Sequence, residues 1–243
     1  MEPQDQSRRT AFAAVGALAG ASILGLANGS AAEPGKGKGP GQEKDTPAVE
    51  DLMREHGVLR RALLVYQEVA PRIRAAPDRF DAKALWRTAR LFRDFGEDYH
   101  EQKLEEAHIF PVVRKAGGPA AAYPDVLTAQ HDRGREVTEF ILAVTKGGSI
   151  GAANAEPLAI ALERFVLMYE NHAAREDTIV FPAWKLALSQ RQIDALGDQF
   201  EDIERKQFGK DGYEDAVKQI AQIEAALGLA DIDQFTAPPP PRA

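Results

Sequence analysis

Two stretches decide the reading of this chain: His100-Glu101-Gln102-Lys103-Leu104-Glu105-Glu106-Ala107-His108-Ile109-Phe110-Pro111 and His172-Ala173-Ala174-Arg175-Glu176-Asp177-Thr178-Ile179-Val180-Phe181-Pro182. Each has a histidine, then an acidic pair, then Phe-Pro after three intervening residues. Each also follows an opening histidine at a similar distance. His56, in His56-Gly57-Val58-Leu59-Arg60, lies 44 residues before His100, and His131, in His131-Asp132-Arg133-Gly134-Arg135, lies 41 before His172. The chain therefore contains a weak repeat of a helix pair. Two such hairpins related by a pseudo-twofold axis would aim their polar residues at one central point.

Working outward, nearly everything after Thr46-Pro47 reads helical, and alternating β-branched runs bounded by turn residues are absent. The punctuation predicts four long helices: about Pro47 to Ala70, stopped by Pro71 and Pro77; about Asp81 to Lys115, stopped by Gly117-Gly118-Pro119; about Pro124 to Lys146, stopped by Gly147-Gly148; and about Ala155 to Leu188. Shorter helices follow near Gln190–Lys206 and Tyr213–Leu227. On the first helix Val49, Leu52, His56, Leu59, Leu63 and Tyr66 share a stripe. On the third Leu127, His131, Gly134 and Ile141 do so, and on the fourth Leu158, Leu162, Phe165, Tyr169, His172, Glu176 and Ile179. Three of the five histidines thus occupy positions where Leu or Ile is expected. A buried polar group without a partner costs about 1–3 kcal/mol, so something must compensate them.

A metal does so. Residues four apart on an α-helix differ by about 40° in direction, so His172 and Glu176 face the same way, as do Glu101 and Glu105. Each closing helix offers an imidazole and a carboxylate long enough to bridge two ions, the arrangement of bundle-core carboxylate sites. A single histidine on an apolar face is more often a hydrogen-bonded core residue. Four of them, one per long helix, with two carboxylates and a repeat relating them, point to coordination. The chain has no cysteine, which excludes thiolate zinc and iron–sulfur sites. Imidazole and carboxylate suit iron or manganese, with zinc less favoured. Glu106 and Asp177 read as solvated groups or supports behind the ligands. His108 matches Ile179 in the repeat and reads as a bystander. The Phe-Pro pairs read as core aromatics followed by a helix-bending proline.

Composition bounds the partners. Apolar content of 44%, charged content of 28% and a net charge of −7 describe a soluble globular chain and argue against a nucleic-acid partner. Ser7-Arg8-Arg9-Thr10-Ala11-Phe12, the apolar run Ala13–Ala27 and the small residues ending at Ala31-Ala32 have the layout of a twin-arginine signal peptide over residues 1–32. That layout implies the Tat translocation machinery as a partner, periplasmic or otherwise exported location, and no membrane association after cleavage. Residues 33–45 read as a flexible linker, 46–188 as the four-helix bundle, 189–234 as a C-terminal helical extension that stabilises without joining the site, and 235–243 as a Pro-rich tail.

On these motifs the chain resembles the hemerythrin-like (HHE cation-binding) family over about Ala48 to Leu188. The resemblance implies an all-α, up-down-up-down four-helix bundle and a non-haem di-iron centre of two carboxylate-bridged iron ions. Carried over by position, His56, His100, His131 and His172 are the imidazole ligands and Glu105 and Glu176 the bridging carboxylates. One departure stands out: oxygen-carrying hemerythrins have a second histidine one turn after the one matched by His131, where this chain has Arg135. Glu101 is then the candidate for the missing ligand, and reversible oxygen carriage fits less well than iron handling, sensing, or reaction with peroxide or nitric oxide. No nucleophilic triad or phosphate loop supports a metabolic enzyme. The rival reading is a structural or interaction bundle without a redox metal site.

Overall fold

A computed structural model describes residues 47–241; the signal-peptide and linker readings lie outside the described residues. The described residues contain helices and no strand. Helix α1 spans Ala48–Ala75. Helix α2, Ala82–Leu91, continues without a break through a π-helical segment, Phe92–Ile109, into α3, Phe110–Ala116. Helix α4 spans Tyr123–Thr145, and α5, Ala152–Arg175, passes through a second π-helical stretch, Glu176–Val180, into α6, Phe181–Leu186. Two helices of the extension follow, α7 over Gln190–Phe208 and α8 over Gly212–Leu227.

The stop signals act as their chemistry requires, with one exception. Pro71 lies inside α1, which runs on to Ala75. An interior proline costs about 3 kcal/mol, but Val69, Ala70 and Ile73 around it are fully buried, and burying Ile73 alone contributes about 1.5–3 kcal/mol. Packing outweighs the lost hydrogen bond. The end comes at Ala76, where the following Pro77 disfavours helical backbone. The side chain of Asp81 starts α2 by accepting from the Lys83 amide at 3.0 Å.

Cross-helix pairs set the topology. Glu55 meets His100 and Leu59 lies opposite Gly96; Glu106 meets His131 and Glu97 meets Thr138; His131 meets His172 and Gly134 lies opposite Tyr169; Arg74 meets Glu156 while His56 meets Asp177. Each pairing runs in opposite directions along its two helices, so the four long helices form an up-down-up-down ring around an interior that includes Tyr66, Phe92, Phe95, Phe110, Phe165 and Phe181. Gly134 is required where α4 passes α5, because a Cβ there would lie 2.0 Å from the Tyr169 hydroxyl oxygen.

The extension packs along the α1–α2 side of the ring. A capping box of Ser189 and Gln192 starts α7, and Gly209 in the left-handed region turns the chain into α8. Phe200 stacks on Trp184, Arg61 Nε bonds Glu224 at 2.8 Å, and His108 lies against Phe200 with its Nε2 3.4 Å from Gln199. Asp51 of α1 and Glu204 of α7 carry acids raised by burial and neighbouring carboxylates, from 3.8 and 4.5 to about 7. An acid whose folded pKa is raised gives stability that is full below its unfolded pKa and lost as pH rises through the folded value. Thermal melts should therefore show stability falling between about pH 4 and pH 7. Asp51→Asn and Glu204→Gln should each flatten that slope, whereas an unaltered slope in both would rule out these groups as its source.

Candidate metal centre

The π-helical segment decides which side chains meet. Residues five apart on an α-helix point roughly 140° apart, yet His100 and Glu105 come together, with His100 Nε2 3.2 Å from Glu105 Oε1. The wider π turn supplies the extra residue per turn that makes this alignment. It also turns Glu101 aside. On the other closing helix ordinary α spacing places His172 Nε2 3.0 Å from Glu176 Oε1. The π stretch there begins only at Glu176. In both copies the carbonyl of the ligand glutamate accepts the amide of the residue five later, Glu105 from Phe110 and Glu176 from Phe181. Pro111 and Pro182, which have no N–H, come next, where α-helix resumes.

Six of the seven sequence-predicted ligands converge. His56, His100, His131, His172, Glu105 and Glu176 are each no more than 3% exposed. Each glutamate spans two histidine pairs. Glu105 Oε1 lies 3.2 Å from His100 Nε2 and 3.9 Å from His56 Nε2, and its Oε2 lies 3.4 Å from His131 Nε2. Glu176 Oε1 faces His172, and its Oε2 lies 3.5 Å from His56 Nε2. The seventh, Glu101, stands beside this set: Tyr169 donates its hydroxyl to Glu101 Oε1 at 2.8 Å, and Arg135 Nη2 lies 3.4 Å from Oε2. His108 is remote from the cluster, against α7.

All four imidazoles turn Nε2 inward and Nδ1 outward. His56 Nδ1 meets Asp177 at 2.8 Å, His100 Nδ1 meets Glu55 at 2.5 Å, His131 Nδ1 meets Glu106 at 2.9 Å and His172 Nδ1 meets Gln130 at 2.9 Å. These acceptors hold an Nδ1–H outward and turn Nε2 to the centre, where a cation would bind in exchange for any proton that Nε2 carries. The wiring follows the repeat. The residue before each opening histidine, Glu55 or Gln130, accepts from the closing histidine of its own copy. The residue after each ligand glutamate, Glu106 or Asp177, accepts from the opening histidine of the other copy. Arg60 and Arg135, each four residues after an opening histidine, ion-pair with those same acids, Arg60 with Asp177 and Arg135 with Glu106 at 2.6 Å. Phe110 stacks on His131 and Phe181 on His56, again across copies. Arg135 is thus the mate of Arg60, a clamp and not a vacant ligand position. Glu55, Gln130 and Tyr169 escaped sequence reasoning as site residues. The signal that could have found Glu55 and Gln130 is their matching place before each opening histidine.

The fit to a cation rests on unpartnered atoms. His100 Nε2 and all four oxygens of Glu105 and Glu176 are buried without a hydrogen-bond partner. Left so, such atoms cost about 1–3 kcal/mol each, more when charged. Their charges are mutually arranged. Burial works against ionised Glu105, but His100 and His131 hold its carboxyl well below the usual range. Burial and the Glu105 charge raise Glu176, and burial with the charge of His131 pulls His172 down to about 3. Burial disfavours charge on His100 and His131, yet the surrounding carboxylates hold both well up. The cluster draws positive charge to its centre. A cavity of about 20 Å³ adjoins it, room for about one water-sized molecule, with Leu59, Leu63, Phe92 and Tyr169 in its wall and Arg60 as its one exposed lining residue.

This bundle with its internal histidine–carboxylate cluster defines a class, and the comparisons agree. The model of the hemerythrin HHE cation binding domain matches residues 48–184, so the chain belongs to the hemerythrin HHE cation-binding family. It is 41% identical over 238 residues to the uncharacterized protein Rv1995 of Mycobacterium tuberculosis (strain ATCC 25618 / H37Rv), spanning 96% of this chain and 92% of that protein. The same figures hold for the uncharacterized protein Mb2018 of Mycobacterium bovis. No solved structure matches the chain.

Asp177 is held below the usual carboxylate range by His56 and Arg60 despite the opposing effect of burial. Asp177→Asn keeps the shape and removes the charge that orients His56. Metal affinity, measured by competition with a chelator, should fall by about 10–100-fold, while His108→Ala should leave it within about twofold. Wild-type affinity in the Asp177 variant would refute the orienting role.

Proposed function

We propose that the protein is a non-haem di-iron protein that binds a small ligand, oxygen, peroxide or nitric oxide, for sensing, iron handling or detoxification. The observation that carries this reading is the bridging disposition of the two buried glutamates. Two overlapping ligand sets, His56–His100–Glu105 and Glu105–His131–His172–Glu176, share Glu105. A carboxylate shared by two sets of imidazoles suits two ions a short distance apart. Donors of nitrogen and oxygen without sulfur favour iron or manganese over softer ions. When bound, the ions would supply redox chemistry toward a small ligand. The chain's own residues supply the rest: Asp177, Glu55, Glu106 and Gln130 orient the imidazoles, Leu59, Leu63 and Phe92 restrict the adjoining cavity to small guests, and the Tyr169 hydroxyl lies in its wall beside Glu101.

Metal analysis tests the reading. About two iron atoms per chain are expected after aerobic purification, with His172→Ala and Glu176→Ala each losing most of the iron, and azide or nitric oxide should perturb the absorption spectrum of the loaded protein. Retention of wild-type iron by both variants would sink the assignment.

Export through the twin-arginine route is part of the same proposal, supported by Arg8-Arg9 and the apolar run that follows. Among the described residues no helix is long and apolar enough to cross a membrane. Arg8→Lys with Arg9→Lys should hold the precursor in the cytoplasm, as followed by cell fractionation; normal delivery of that double variant would refute export by this route.

A further inference from the structure

The two halves of the centre are alike in their ligands and unlike in what stands behind them. His172 Nδ1 faces the neutral amide of Gln130, which is half-exposed. His100 Nδ1 faces Glu55, a carboxylate only 1% exposed. The second oxygen of Glu55 accepts the Tyr99 hydroxyl at 3.0 Å. The Tyr99 ring, also 1% exposed, packs edge-on against Phe208 with ring centroids 5.3 Å apart, and Phe208 lies 6.1 Å from the Phe95 ring. Phe208 is the last residue of α7, outside the matched family domain. The corner behind it is tight: a Cβ on Gly212 would lie 2.3 Å from the Phe208 ring, and Glu204 Oε1 accepts the Tyr213 amide at 2.7 Å. The extension therefore reaches His100 through three contacts, Phe208 to Tyr99 to Glu55 to His100. The expectation that this segment only adds stability does not cover that path.

We infer that the C-terminal extension is a positioning element of the metal centre, sealing the Tyr99–Glu55 pair from water and so making the His56–His100 half hold its ion more tightly than the His131–His172 half. The physical reason lies in the dielectric. A carboxylate that orients a ligand imidazole acts more strongly in a dry site than in a wet one. Loss of the Phe208 ring would admit water to Glu55 and weaken its hold on the His100 Nδ1–H. Replacing Tyr99 by Phe would remove the hydroxyl that fixes the carboxylate. Gln130 is more open to solvent than Glu55, and its half serves as the internal reference.

This inference rests on the two-ion reading above, and the test separates the two. Full-length protein is loaded with cobalt(II), and its release to excess EDTA is followed by visible absorption. Two ions released in two phases are expected in the wild type. Phe208→Ala and Tyr99→Phe should each speed the slow phase by about tenfold and leave the fast phase within twofold. Ile220→Ala, a buried lesion on α8 outside this chain of contacts, should lower the melting temperature without changing the slow phase. Failure to bind two ions would overturn the two-ion reading itself. Two ions with a slow phase unchanged in Tyr99→Phe, or one that Ile220→Ala speeds equally, would overturn the role of the extension. If Phe208→Ala does not fold, the isosteric Tyr99→Phe decides alone.

Discussion

The structure is organised around two carboxylates placed where a protein interior least tolerates them. Glu105 and Glu176 are almost fully buried, and none of their oxygens has a hydrogen-bond partner. An ionised carboxylate in such surroundings is sustainable only beside positive charge. The rest of the bundle supplies the means to hold that charge: four imidazoles with Nε2 inward, an acceptor behind each Nδ1, and an arginine behind two of the acceptors. The π turns belong to the same requirement, since one of them brings His100 over Glu105 across a spacing that an α-helix would leave on different faces. Function here is not grafted onto a finished bundle; the polar centre sets the helix geometry around it.

Much of this was legible in the sequence, and the parts that were not share a cause. Proline and glycine punctuation marks the helices, and histidines in Leu or Ile positions mark the interior of the ring. Both signals depend on one helix at a time. The side chains that escaped notice act between helices. Glu55 and Gln130 look like ordinary polar residues until the closing helix of their own copy is laid beside them. Arg135 looks like a missing histidine until its mate Arg60 is seen on Asp177. Spacing arithmetic also assumes 3.6 residues per turn, which places Glu101 over Glu105. In the π segment that arithmetic fails, and Glu101 turns to Tyr169 and Arg135. Pro71 is the reverse case, a strong local signal overridden by the burial of Ile73. Each discrepancy comes from tertiary packing acting on a local rule.

The asymmetry between the halves matters as much as their symmetry. A repeat with strictly equal halves would present two equivalent ion positions. Here one histidine is backed by a sealed carboxylate and the other by a half-exposed amide, and the cavity wall has its one exposed residue at Arg60. Differences of this kind, outside the ligands themselves, are a general means by which a protein tunes a metal without changing its first coordination partners.

The exchange of acceptors between copies ties the two hairpins to each other. Asp177 serves His56 and Glu106 serves His131, so neither hairpin can orient its own opening histidine. Two identical hairpins related by a true twofold axis would satisfy both demands at once, because such an axis makes every cross-contact reciprocal. The present chain reproduces within one polypeptide the reciprocal wiring of a symmetric dimer. A single chain also permits what a true twofold axis forbids: α7 and α8 lie against α1 and α2, and among the described residues no such pair covers the other copy.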